Sequence, residues 1–266
     1  VVVVVMSAVK SMRTDGVLLD LDGTLYDVDK AVEGAADAVA QLRNAGIPLR
    51  FVTNTSRMSR REVREYLMRL GIAAEPHELF TTTVGAASWL LSREIERVAL
   101  CLPEVTREDF SRLTIDGSSP QAVVVGDLGY EWSFELLNRA FRWLVDGAVL
   151  VATHMNRYWR TADGLTLDAG PFVVALEYAA GIQATTVGKP NPEFFQFAAQ
   201  SMGFSPEAVV MVGDDVVNDV AGIQSLGGKG ILVRTGKFRE SDLTNSKIQP
   251  DLVLDSVAEL PGVLLG

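Results

Sequence analysis

Two aspartates, Asp20 and Asp22, stand directly after the apolar run 17–19. Such a run reads as a strand buried on both faces, so its end is where charge can emerge. Comparable groups close other apolar runs: Thr53 and Asn54 after 49–52, Lys189 after 185–187, and Asp214 with Asp215 after 209–212. Each type has a chemical use. A hydroxyl and neighbouring backbone amides at Thr53 and Asn54 can hold phosphate oxygens, and Lys189 supplies a compact positive charge for the same anion. Asp20, Asp22 and Asp214 offer hard oxygen ligands suited to Mg²⁺, which pairs naturally with phosphate. A divalent cation also lets adjacent carboxylates stay ionised, whereas without it one is pushed towards protonation. A carboxylate can act as nucleophile and form an aspartyl-phosphate, dividing a hard hydrolysis into two easier steps. Asp22 then serves as acid for the leaving group and as base for the attacking water.

The elements that must position these groups are legible as a pattern. Short β-rich runs alternate with segments of helical period, which predicts a doubly wound, mainly parallel α/β sheet with helices on its faces. Runs 17–19, 49–53, 185–187, 209–212 and 231–233 are expected as strands of that sheet. Ligands bind beyond the C-terminal strand ends of such sheets, so the distant groups above should share one crevice. Ser59 with Glu62 reads as a capping box opening a helix that stops at Gly71; Asn191 and Pro192 open another, and 216–226 reads as a third. The middle of the chain has strand candidates of its own at 98–102, 122–125 and 149–152, with an amphipathic helix carrying Phe134, Leu137, Phe141 and Leu144. Since sheet-type strands occur on both sides of this stretch, the expected organisation is a core of 12–78 and 182–266 with a smaller α/β cap, 79–181, inserted into it.

Composition narrows the function. Of 266 residues, 48% are hydrophobic and 22% charged, ample for a buried core, and 24 basic against 34 acidic residues give a net charge of -10. That balance disfavours nucleic acid and anionic membranes as partners. One cysteine, Cys101, excludes disulfides within the chain and thiolate zinc clusters and implies a reducing cytoplasmic setting. The opening ten residues carry neither a signal peptide nor a membrane span; Met6 reads as the natural start and residues 1–5 as an artefactual extension.

Taken together and in order, "DLDGTLY" (20–26), "FVTNTS" (51–56), "VGKPNPEFF" (187–195) and "MVGDDVVNDV" (211–220) resemble the four motifs of haloacid dehalogenase-like phosphatases. The resemblance runs from about residue 14 to 265, includes a cap of the large α/β type, and extends to one branch through "ADGLTLDAGPFVVALEYAAGI" and "LVRTGKFRESD". It implies Asp20 as nucleophile and metal ligand, Asp22 as acid and base with its backbone carbonyl on the metal, Thr53, Asn54 and Lys189 on the phosphate, and Asp214 as metal ligand. Asp215 and Asp219 would hold these groups in place. It also implies a homodimer formed through the cap. The presence of Asp22 favours phosphatase chemistry over carbon–halogen cleavage.

Two other motif readings fail. "DLDGTLYDVDK" is no calcium loop, because Gly23 is its fourth residue rather than its sixth and Ala31 stands where a closing glutamate belongs. "GILVRTGKF" has five residues between its glycines and Phe238 where a nucleotide loop needs Ser or Thr. For the leaving group, the candidates are His154, Asn156, Arg157, Tyr158 and Arg160 in "ATHMNRYWR", with Asp127 after the run 122–125. Trp132, Phe134, Phe141 and Trp143 read as cap core or subunit interface. The expected function is a Mg²⁺-dependent phosphatase acting on a small phosphorylated molecule or pyrophosphate; the rivals are a phosphoaspartate signalling module and a catalytically inactive member used in protein association.

Overall fold

In the computed structural model, which describes residues 12–161, 164–245 and 247–266, the chain is carried by two parallel sheets. The expected start at Met6 and residues 1–5 lie outside the described residues. From edge to edge the larger sheet runs Leu252–Leu254, Lys229–Val233, Val209–Gly213, Gly16–Asp20, Leu49–Thr53 and Leu79–Thr81. After the central strand Gly16–Asp20 the chain winds first to one side and later to the other. That reversal opens a crevice between the ends of Gly16–Asp20 and Val209–Gly213, where Leu19 is in register with Val212.

Both faces of this sheet are covered, and side chains alternate between them as the pleat demands. Val17 and Leu19 join Phe51, Leu79, Val210 and Val212 on one side, while Leu18 joins Val52, Phe80, Met211, Phe194 and Phe195 on the other. Truncating a fully buried member such as Leu19 to alanine is expected to cost about 2–5 kcal/mol. Helices start where the sequence indicated. Ser59 and Glu62 form a reciprocal capping box on Arg60–Arg69, and the Asn191 side chain accepts from Glu193 N–H ahead of Pro192–Gln200.

The smaller sheet runs Thr185–Thr186, Val149–Ala152, Ala122–Val125, Arg97–Cys101 and Thr114–Ile115, again all parallel. The helices Phe134–Val145 and Ala169–Ala180 pack together beside it, over Cys101, Val123, Val125, Leu150 and Ala152. Within that packing Trp132 stacks on Phe172 at 4.6 Å, and Phe141 and Trp143 are partly buried. Phe134, read as cap core or subunit interface, is 83% exposed and so stands outside the core of this unit.

The structure corrects three expectations. Residues 185–187 were expected in the larger sheet, yet Thr185 and Thr186 pair with Val151 and Ala152 at the edge of the smaller one. Two half-exposed threonines suit an edge better than a doubly covered centre. Leu79–Thr81, expected as the start of the inserted unit, closes the larger sheet by pairing with Phe51, Val52 and Thr53. The expected helix 216–226 is a π-helical turn, Val216–Ala221, followed by the short α-helical piece Gly222–Gln224. Among the described residues, no helix is long and apolar enough to cross a membrane.

Candidate active site

At the C-terminal end of the larger sheet lies a cavity of about 350 Å³ whose lining includes Asp20, Asp22, Thr53, Asn54, Lys189, Asp214, Asp215 and Asp219. Residues from four separate motifs thus meet in one place. Lys189 is its hub: buried, it donates from Nζ to Asp20 Oδ1 at 2.5 Å and to Asp219 Oδ1 at 2.7 Å. Desolvation pulls the lysine pKa down, but the charges of Asp20 and Asp219 outweigh it and hold the ammonium above its usual range.

The local chain explains the convergence. Asp215 caps the π-helical turn, its carboxylate accepting from the N–H groups of Val217 and Asn218. That wide turn carries Asp219 back beneath Gly213, where a Cβ would lie 2.1 Å from Asp219 Oδ2. Asp219 Oδ2 also accepts from the Asp215 N–H at 3.2 Å. Asp215 and Asp219 therefore brace the site, Asp219 from inside it.

The acidic groups are crowded. One carboxylate oxygen each from Asp20, Asp214 and Asp219 can be chosen so that all three lie within 4.8 Å of one another. Asp214 Oδ2 accepts from Lys237 N–H at 2.6 Å, but its Oδ1 is buried with no hydrogen-bond partner. An orphaned buried carboxylate oxygen beside two further carboxylates is a donor set that fits a hard divalent cation. Burial, with Asp20's charge adding, pushes Asp214 up to about 7. Burial, with the charges of Asp20 and Asp214 adding, raises Asp219 to about 8 against the pull of Lys189. Asp22 is not part of this triad. It is exposed at the cavity, raised chiefly by desolvation, with Lys237 opposing that rise.

The Asn54 side chain is engaged by the backbone beside it, and its own backbone N–H is a separate group. Its Oδ1 accepts from Lys189 N–H at 2.8 Å and its Nδ2 donates to Lys189 O at 2.9 Å, so its side chain grips the Lys189 backbone. Thr53 Oγ1 accepts from Thr55 N–H at 3.1 Å, which leaves the hydroxyl proton free to donate.

The opposite wall comes from the ends of the smaller sheet. Asp127, His154 and Asn156 line the cavity as anticipated, with Asp168, which caps the helix Ala169–Ala180. His154 is buried, 3.6 Å from Asp168 Oδ1 and 3.4 Å from Ser56 Oγ; burial lowers its pKa while Asp168 and Asp127 oppose the shift. Arg57 reaches Asp127 at 3.4 Å and lies over the Trp159 ring, 4.9 Å from its centroid. Arg157 and Tyr158, expected at the leaving group, do not line the cavity and are exposed. Alternation with Trp159 on the strand Tyr158–Thr161 turns Tyr158 elsewhere, and Arg157 stands just before that strand. The Arg160 side chain falls outside the described residues. Sequence reasoning missed Tyr26, Arg57, Trp159, Asp168 and Lys237. Lys237 was detectable, since it follows the strand Lys229–Val233 at the same end of the sheet.

Comparison with known proteins agrees with this geometry. A family model described as haloacid dehalogenase-like hydrolase matches residues 17–115, and one described as HAD-hydrolase-like matches 186–260. The chain is 44% identical over 245 residues to haloacid dehalogenase-like hydrolase domain-containing protein 2 of Homo sapiens, covering 92% of each. It is 41% identical over 256 residues to phospholysine phosphohistidine inorganic pyrophosphate phosphatase of Homo sapiens, covering 94% of each. Among solved structures it is similar to a 4-nitrophenylphosphatase from Thermotoga maritima, with a TM-score of 0.86, 27% identity, and coverage of 94% of this chain and 97% of that one. It is also similar to a glycerol phosphate phosphatase from Mycobacterium tuberculosis in complex with magnesium, with a TM-score of 0.85, 28% identity, and coverage of 93% and 76%.

Proposed function

The chain belongs to the haloacid dehalogenase-like hydrolases, and from that premise we propose that it is a magnesium-dependent phosphatase of small phosphorylated molecules or pyrophosphate, working through a phosphorylated Asp20. The observation that carries this reading is the arrangement around Asp20: a buried lysine on one carboxylate oxygen and two more acidic groups beside it, one with an unpartnered oxygen.

The residues divide the work as follows. Thr53, the backbone N–H of Asn54 and Lys189 bind the phosphoryl oxygens and aim the phosphorus at Asp20. Asp20 attacks phosphorus as the bond to the leaving oxygen breaks, and Asp22 gives that oxygen its proton. In the second half Asp22 takes a proton from water, the water oxygen bonds to phosphorus, and the acyl-phosphate bond to Asp20 breaks, restoring the carboxylate. Asp20 and Asp214, with the Asp22 backbone carbonyl and with Asp219 beside them, would hold Mg²⁺, which supplies charge stabilisation for the transferring phosphoryl group. Asp22's raised pKa suits it to carry a proton before it gives one up.

On this reading the unit built on the smaller sheet, from Arg97 to Thr186, is a cap that excludes water and selects the leaving group. The buried Cys101 is consistent with a reducing, cytoplasmic setting, and the exposed Phe134 and Tyr178 on the cap helices suit a homodimer contact. The testing experiment is phosphate release from pyrophosphate, sugar phosphates, nucleotides and phosphoamino acids, with Mg²⁺ and with chelator. Activity that needs Mg²⁺, with trapped phospho-Asp20, is expected. Turnover insensitive to chelation sinks the magnesium assignment, a long-lived phosphoenzyme without turnover makes the chain a signalling module, and inactivity on every substrate leaves an association protein.

A further inference from the structure

We propose that Lys237 is a specificity-determining residue that pairs with a second negative charge on the substrate's leaving side, so that the cavity favours phosphate compounds with anionic leaving groups, pyrophosphate being the simplest. The inference rests on the phosphatase reading above and names its substrate class.

The cations of the cavity are unequally committed. Lys189 is held between two carboxylates, and Arg57 faces Asp127 and lies over Trp159. Lys237 lines the same cavity and is exposed at its rim, and its ammonium has no hydrogen-bond or ion-pair partner among the described residues. An anion arriving there meets an unspent charge.

The chain carrying it is fixed. Thr235 Oγ1 donates to Gly23 O at 2.5 Å, and Lys237 N–H donates to Asp214 Oδ2 at 2.6 Å. Between them Gly236, at φ 62°, passes so close that a Cβ would fall 2.2 Å from Asp214 Oδ2 and 2.4 Å from the Gly23 Cα. Only glycine permits that approach. The Lys237 backbone is therefore fastened to both the Asp20–Gly23 loop and Asp214, while its side chain projects into the opening.

Its neighbours place it on the leaving side. Thr235, two residues before it, is bonded to Gly23, the residue after Asp22, so Lys237 and Asp22 line the cavity from adjoining segments. On the reading above, Asp22 is the proton donor to the leaving oxygen. A charge-assisted hydrogen bond from this lysine to an anionic leaving group contributes in a way a neutral leaving group cannot. A bare counter-charge for the acidic cluster would instead affect all substrates alike.

The test compares kcat/KM for pyrophosphate and for phenyl phosphate, with Mg²⁺, in the full chain and its Lys237→Met and Lys237→Arg variants. The pyrophosphate to phenyl phosphate ratio is expected to fall about tenfold or more in Lys237→Met, mostly through KM, because a charged hydrogen bond is lost on one substrate only. Lys237→Arg should keep most of the ratio, and a thermal melt of each variant checks folding. An unchanged ratio in Lys237→Met overturns the inference, as does a wild-type chain that hydrolyses phenyl phosphate but not pyrophosphate. If the wild type hydrolyses no phosphate compound, the phosphatase reading itself fails and this inference falls with it.

Discussion

On the floor of the cavity, buried charged groups meet at 2.5–2.7 Å around Lys189, which arrives from the edge of the smaller sheet and bonds Asp20 and Asp219 at the end of the larger one. On the wall opposite, the contacts between side chains stretch to 3.4–3.6 Å, although the Asp127 N–H donates to Ser56 Oγ at 2.8 Å. Short, charge-assisted bonds between buried partners define positions closely, and a nucleophile needs that definition. Long contacts between Ser56, Arg57, Asp127, His154 and Asp168 leave room for side chains to re-pair around different leaving groups. The same strand-end geometry serves both regions, and on the reading proposed above one suits a fixed reaction and the other a choice of leaving group.

Substitutions should separate the two. The largest effect is expected for Asp20→Asn, which removes the nucleophile: turnover should fall by about a thousandfold or more with the fold intact, read by single-turnover phosphate release. An active variant would break the assignment of the floor. Lys189→Met comes next. Turnover should drop about 10²–10³-fold as the positive charge on the phosphoryl group is lost. The buried carboxylates it leaves behind should lower stability by about 3–5 kcal/mol in a denaturant titration.

The floor also makes a pH prediction. With Asp214 at about 7 and Asp219 at about 8, both raised mainly by burial, the chelated protein binds more protons folded than unfolded above the usual carboxylate range. Stability of the chelated protein should therefore be greatest near about pH 4 as far as these groups decide it, and fall as pH rises to about 8. Mg²⁺ at about a hundred times its Kd should restore about 2.7 kcal/mol, with a larger melting shift at pH 8 than at pH 6. A melting curve that climbs over that interval would contradict the crowding argument.

Wall substitutions should be milder and substrate-dependent. Asp168→Asn or His154→Gln is expected to change kcat/KM by about three- to tenfold, in KM more than kcat, with a different ranking for each substrate. A uniform loss across substrates would blur the division of labour. Smallest of all, Tyr158→Ala should alter activity less than about twofold, because its exposed side chain lies off the cavity.

The contrast also explains what could be read in advance. Much of the floor was legible because Asp20 and Asp214 end apolar runs, and a covered parallel sheet forces those ends together; Lys189 reaches the floor from the edge of the smaller sheet instead of the larger one expected for the run 185–187. The partner of Lys189 was less legible. Asp219 enters the site only because a π-helical turn, which no periodicity announces, brings it under Gly213. That the Asn54 side chain would grip the Lys189 backbone was not legible, since it depends on which chain lies nearest. The wall was mostly hidden. Asp168 reads as an ordinary helix cap, and which of Arg157, Tyr158 and Trp159 faces inward depends on a strand register that the sequence leaves open. The edge strands Leu79–Thr81 and Thr185–Thr186 were mislaid for a related reason: two or three residues carry too little pattern to say which sheet they complete.

The grip of Asn54 on Lys189 has a mechanical meaning. Lys189 stands three residues beyond Thr186, so the chain that delivers the lysine arrives directly from the smaller sheet. A rocking of that sheet would tug on the lysine through this short tether. Two hydrogen bonds from a residue rooted at the end of Leu49–Thr53 clamp the backbone on both its N–H and its C=O, as a bracket fixes a cable at the point of use. Any movement of the smaller sheet would thereby be grounded before it reached the charge of the lysine.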